Sequence, residues 1–251
     1  MVGTFYLDER TLGTMTSGAK PMRVAILQPS YLPWLGFFEQ MHRSDQFILY
    51  DDVQFTRRDW RNRNRVRVLE GSVWLTVPVI QKNKYDQNLL ETKIDNSTSW
   101  KRKHLETIRC HYSKTPFFDM YFPWCEKVFN SDWNFLLDLS LETIQYLKGE
   151  LKINTTLLRS SELDESGNKT ERLISICKQL GATQYLSGDS ARNYISEKDF
   201  SDQGIELEYQ EYQHPEYPQR YEGFVPFLST IDLLFNCGDK SMEFLKQTDC
   251  V

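Results

Sequence analysis

Short apolar runs alternate with stretches of helical spacing along most of the chain. RVAIL (23–27) is almost continuously apolar, the pattern of a strand buried on both faces. The run breaks at Pro29 and Pro33. WLGFFEQMHR (34–43) then places Trp34, Phe37, Phe38 and Met41 at helical spacing. QFILY (46–50) reads as a second buried strand and ends on Asp51-Asp52. A strand, loop, helix and strand in this order predict a parallel sheet, in which sites lie beyond the carboxyl ends of the strands. The Gln28–Pro33 and Asp51–Gln54 loops fall there.

Between Asn62 and Arg67 the pattern alternates, with arginine on the odd positions. In an extended chain Arg61, Arg63, Arg65 and Arg67 then share one face. VWLTVPVI (73–80) is the expected partner strand, in a hairpin through Glu70-Gly71. Residues 100–113, 118–130 and 133–149 read as helices. After Gly149 the α/β alternation returns: strand 154–161, helix 169–181, strand 183–188, strand 205–212 and helix 227–238. The fold class predicted is α/β, a mostly parallel Rossmann-like sheet with a β-hairpin and a largely helical insertion near residues 95–150. Residues 1–22 are expected to be a flexible arm, and 23–251 a single α/β domain.

Composition narrows the functional classes. At 251 residues, 40% hydrophobic and 14% aromatic, the chain can build a sizeable core. A net charge of -5 argues against a general nucleic-acid binder. No run of about 18 apolar residues offers a membrane span, and no apolar stretch after a basic start suggests a secretory signal. Five scattered cysteines without a CxxC pair suit reduced thiols, so a cytoplasmic location is expected.

Against that acidic total, the run from Arg57 to Arg67 carries six arginines in eleven positions. Adjacent positive charges repel, so the run needs counter-charges or an anionic ligand, and arginine is suited to bidentate phosphate or carboxylate contacts. Arg61 and Arg63 are the main candidates, with the Asn62 and Asn64 amides as added donors. A solvated edge strand is the competing reading. Gln28, Tyr31 and Trp34 occupy the proline-bounded loop, with Gln54 in the second loop; Tyr31 and Trp34 offer aromatic walls. The nucleotidyltransferase HxGH loop sits in the same place, but here the tetrad is Trp34-Leu35-Gly36-Phe37, so adenylyl transfer by that route is disfavoured.

Of four histidines, His214 alone follows a strand into a Pro-containing loop, beside Tyr217 and Gln219. An imidazole there suits a general base, or else a hydrogen-bonded loop residue. Asp51 and Asp52 are candidates for orienting a substrate. Ser187-Gly188 ends a strand in a tight turn that can cradle phosphate or sugar. Walker, GxSxG and GxGxxG patterns are absent, and no clustered metal-ligand set is visible.

Taken in order, LQPSYLPWLGFFEQ, DDVQF with NRN, WLTVPV, YLSG, HPEYPQ and FVPFLSTIDLLFNCG resemble the WbqC-like family over about residues 23–245. That resemblance implies a bacterial protein of O-antigen or related surface-polysaccharide biosynthesis. It further implies a transferase that acylates or aminoacylates the amino group of a nucleotide-activated amino sugar, with acyl-CoA, aminoacyl-tRNA or ATP as donor or activator. A non-catalytic nucleotide-sugar-binding or assembly protein is the alternative.

Overall fold

The computed structural model describes residues 21–56, 59–81, 86–164, 167, 169–193 and 195–246. The expected N-terminal arm lies outside the described residues up to position 20, as do Arg57 and Arg58.

Strand β1 (Arg23–Leu27) carries Val24, Ala25 and Ile26 in the interior. Around it a parallel sheet forms from β2 (Gln46–Leu49), β5 (Thr156–Arg159), β6 (Gln184–Ser187) and β7 (Glu206–Tyr209), in the order β5-β2-β1-β6-β7. Every pairing in it is parallel. The fold is therefore the α/β class expected. The chain leaves β1 toward β2 on one side and leaves β6 toward β7 on the other. The gap beyond the carboxyl ends of β1 and β6 is thus a topological switch point, the place where open α/β sheets bind ligands.

A separate antiparallel hairpin joins β3 (Arg63–Arg67) to β4 (Ser72–Thr76), with Arg65 opposite Trp74. Its turn closes by a Val68 N–H to Gly71 O bond at 3.1 Å, and Gly71 takes φ 82°, a conformation suited to glycine. Hairpin and helices α2 (Trp100–Tyr112), α3 (Phe118–Asn130) and α4 (Leu136–Glu150) all come between β2 and β5. Helix α1 (Leu35–His42) follows β1, α5 (Thr170–Gln179) precedes β6, α6 (Glu197–Ser201) precedes β7, and α7 (Thr230–Cys237) and α8 (Ser241–Lys246) complete the fold.

One apolar cluster joins the inner side of β1 and β2 to α1, the hairpin, α2–α4 and α7. A second fills the other face of the sheet under α5 and α6. The hairpin is thereby packed into the main core: Val66, Leu75 and Val77 are buried, whereas Trp74, opposite Arg65, faces outward.

A buried polar brace crosses this core. Asp232, on α7, accepts hydrogen bonds from the Tyr112 hydroxyl at 2.6 Å and the Tyr217 hydroxyl at 2.9 Å. Tyr112 in turn accepts the Arg67 N–H at 2.8 Å. Burial raises the Asp232 carboxyl to about 6 despite those bonds and the nearby Arg67.

Candidate active site

The loop between β1 and α1 is fixed at nearly every station. Tyr31 N–H bonds Arg61 O at 3.2 Å and Thr230 N–H bonds Pro33 O at 2.9 Å. The Asn64 amide donates to Leu32 O at 2.6 Å. Leu32 itself takes φ 45°, in the left-handed region, a strained conformation for leucine that persists only where its surroundings hold it. The Tyr31 side chain is wholly buried. Its hydroxyl donates to His104 Nδ1 at 2.9 Å, while the other ring nitrogen of His104 serves Thr76. Burial lowers His104 to about 4, which keeps it neutral and able to accept.

At the switch point this rigid loop borders two adjoining cavities, of about 400 and 530 Å³. They share Leu27, Arg61 and Ser190. Arg61 Nη1 donates to Gln28 O at 3.1 Å and to Ser30 Oγ at 3.0 Å, which holds the guanidinium at the junction. The smaller cavity has an aromatic wall of Trp34, Trp60, Tyr212 and Phe227, and the Gly188–Ser190 turn also lines it. Trp34 meets Tyr212 at 4.9 Å and Phe227 at 5.7 Å between ring centroids. Gly36 is required beneath it: a Cβ there would lie 2.3, 2.6 and 2.7 Å from indole atoms of Trp34. The larger cavity is bounded by Gln28, Tyr50, Tyr185 and the start of α5, including Lys169 and Thr170.

A charged network supports the aromatic cavity from below. Gln210, in its lining, donates to Gly36 O at 2.6 Å and bonds the Glu39 carboxylate. Arg43 bridges Glu39, at 2.9 Å, to Glu208. Glu39 is almost wholly buried, so its carboxyl oxygens depend on these partners in place of water.

Among the expected substrate-binding residues, Gln28, Trp34, Arg61 and Gly188 line these cavities. Others have structural work instead. Tyr31 is a buried bolt rather than a stacking surface. Asn62 and Asn64 point inward; the Asn62 amide donates to Val77 O at 2.7 Å. Ser187 is 3% exposed within β6. Tyr217 serves Asp232, and Gln219 clasps Val225 through both amide atoms at 2.9 Å. Gln54 bonds Asp86 at 3.1 Å on the surface, outside both cavities.

The three expected catalytic groups are also withdrawn. Asp51 is fully buried, with its carboxylate held by Arg159 Nε at 2.5 Å, Ser161 N–H at 3.0 Å and Ser161 Oγ at 3.0 Å. Asp52 pairs with Arg172 and with Ser160 Oγ at 2.6 Å. Together they tie the end of β2 to β5 and α5. His214 Nδ1 donates to Pro215 O at 2.9 Å. Its ring lies among Tyr212, Tyr217, Phe224 and Phe227, at centroid distances of 5.2 to 6.1 Å. Burial lowers its pKa. Since Tyr212 and Phe227 form the cavity wall, His214 stands one ring behind it.

Nor do the arginines share one ligand. Arg67 is 3% exposed and donates to the Val68, Gly71, Glu222 and Gly223 carbonyls at 2.7–3.1 Å. Arg63 lies over the Trp74 ring at 4.3 Å. Arg65 stands 5.8 and 5.7 Å from the Trp60 and Trp74 rings. Only Arg61 of the four lines the cavities; its partners in the Gln28–Ser30 loop are the Gln28 carbonyl and the Ser30 hydroxyl.

Asp189 is the titratable acid that the cavity itself presents. Its Oδ1 accepts the Glu211 N–H at 3.0 Å, and Arg192 lies 3.9 Å from the same oxygen. Among the described residues no group of three or more His, Cys, Asp and Glu side chains could hold a metal ion, and no helix is long and apolar enough to cross a membrane.

A profile of the WbqC-like protein family matches residues 28–244. A Mycobacterium tuberculosis relative, named "Uncharacterized protein Rv1507c", is 37% identical over 226 residues, spanning 89% of this chain and 97% of its own. No solved structure matches.

Proposed function

The chain belongs to the WbqC-like protein family, and from that premise and the cleft geometry we propose a transferase of surface-polysaccharide (O-antigen) biosynthesis. It acylates or aminoacylates the amino group of a nucleotide-linked amino sugar. The observation that carries this reading is the pair of contiguous cavities meeting at Arg61. A nucleotide sugar has a nucleoside and a pyranose joined by a diphosphate, and a guanidinium between two pockets suits that junction. Lys169, in the larger cavity, adds a second cation beside the diphosphate. Indole and phenol faces in the smaller cavity suit the pyranose.

Asp189 replaces His214 as the acid–base group. A sugar ammonium seated against it is charge-paired before reaction and gives the carboxylate one proton; the neutral amine then attacks the acyl carbonyl, and the donor's leaving group departs with the second proton lost from nitrogen. Acyl-CoA, aminoacyl-tRNA and ATP-activated acyl groups all fit the reaction as donors. The acidic total weighs against an extended RNA footprint.

Thermal-shift titration of the purified protein with UDP-, dTDP- and GDP-linked amino sugars tests the reading. A ligand at 100 times its dissociation constant adds about 2.7 kcal/mol of stability. Saturating concentrations of every such sugar without a shift would end it. A non-catalytic nucleotide-sugar binder is favoured by one observation, the withdrawal of His214, Asp51 and Asp52 from the cavities. Turnover of the amino sugar with any donor class decides between the two.

A further inference from the structure

The outer face of the β3–β4 hairpin combines aromatic surface with positive charge in a way the cleft does not use. Trp74 is 41% exposed, and Phe227 is exposed as well. Trp60 and Trp74 are in contact, with centroids 5.1 Å apart. Arg63 covers the Trp74 ring at 4.3 Å. Arg65 stands near both rings and donates to the Pro226 and Phe227 carbonyls at 3.4 and 3.3 Å. Two strand residues apart, the two arginines project from one face about 6.7 Å from each other. Trp60 belongs both to this face and to the lining of the aromatic cavity, so the platform runs up to the cavity mouth.

We propose that this face binds the nucleotide end of the acyl donor, a base with adjoining phosphates on a carrier of the coenzyme A type. The inference rests on the transferase reading above and names the place of its second substrate. Indole faces and guanidinium planes are surfaces on which nucleobases stack. The guanidinium groups supply the charge that adjoining phosphates need. One base with its phosphates matches two indoles and two arginines, whereas a longer RNA would meet the field of a chain with net charge -5. From Trp60 a flexible pantetheine arm extends over Phe227 into the cavity that holds the sugar.

Isothermal titration with coenzyme A tests the proposal on wild type, Trp74→Ala, Trp74→Phe and Arg63→Gln. Trp74 lies outside the main apolar core, so its replacement leaves the core in place. Loss of one stacking surface weakens coenzyme A about tenfold in Trp74→Ala, while Trp74→Phe retains most of the affinity and Arg63→Gln weakens it and flattens its salt dependence. The thermal shift given by nucleotide sugars, measured on the same preparations, stays at the wild-type value. That second readout reports on the cleft alone, so failure of the transferase reading and failure of the hairpin site give different results. Wild-type coenzyme A affinity in Trp74→Ala overturns the proposal. So does binding of a single-stranded RNA ending in adenosine by a protein that ignores coenzyme A.

Discussion

Asp232 gives the sharpest test of the packing argument. The carboxyl is wholly buried, and although two tyrosine hydroxyls and Arg67 favour its charged form, desolvation dominates and lifts it from the ordinary 3.8 to about 6. A carboxyl whose folded pKa lies above its unfolded value holds its proton more tightly when folded. Its contribution to stability is therefore fully present below about pH 3.8 and is lost as pH rises through about 6. That interval corresponds to about 3 kcal/mol, at about 1.36 kcal/mol per pH unit. Other carboxyls work in the opposite sense; Asp95, lowered by its bonds to Ser97, is one. The measurement must therefore be a difference. Urea unfolding of wild type and Asp232→Asn is followed by tryptophan fluorescence at intervals from pH 4 to pH 7. The asparagine cannot titrate, so the wild-type advantage over the variant shrinks by about 2 kcal/mol between pH 4 and pH 7, most of the full amount. A difference that stays flat, or grows with pH, refutes the claim that desolvation governs this site.

Gly36→Ala drives a methyl into the Trp34 indole; overpacking of this kind destabilises by about 1–3 kcal/mol, read as a lower urea midpoint together with weaker nucleotide-sugar binding. Tyr31→Phe leaves His104 Nδ1 buried without its donor and lowers stability by about 1–3 kcal/mol, measurable by calorimetry. Arg61→Gln keeps a donor for the Gln28 and Ser30 oxygens but removes the charge, so nucleotide-sugar affinity falls at least tenfold while the bare nucleoside is little affected; equal losses for both would refute a diphosphate role. His214→Ala preserves both nucleotide-sugar binding and turnover, because the imidazole is screened by Tyr212 and Phe227. Loss of turnover alone in that variant would restore His214 as the base.

Most of the scaffold was legible because apolar periodicity is a local property. RVAIL became Arg23–Leu27, and the helix read over 118–130 is Phe118–Asn130 despite Pro123 in its first turns. The hairpin followed from alternation and a glycine turn. The site was less legible, since residue type does not reveal which groups a side chain meets. Asn62, Asn64 and Val66 share the inward face of the alternating segment. Their even spacing beside an apolar residue was the available hint that these amides clamp main chain. Arg67 gave no such hint: its partners at Glu222 and Gly223 come from a distant loop. The same holds for Asp51, whose register with Ser160 and Ser161 exists only once β5 lies beside β2. Asp189 was visible within the SGD turn, but its place in the same cavity as Trp34 depends on β1 and β6 being neighbours in the sheet.

The stitching of the opening loop has a kinetic corollary. Pro33 is held by the Thr230 N–H and Arg65 by the Ser229 N–H, while Trp34 bridges Ser229 directly. Segments near positions 30, 65 and 230 must therefore meet before the cleft has its shape, and contacts of such sequence separation form late in folding. During synthesis the Rossmann-like half and the hairpin exist without a finished cleft until residues near 230 have left the ribosome, so a nascent chain halted before them lacks the completed wall of the opening loop.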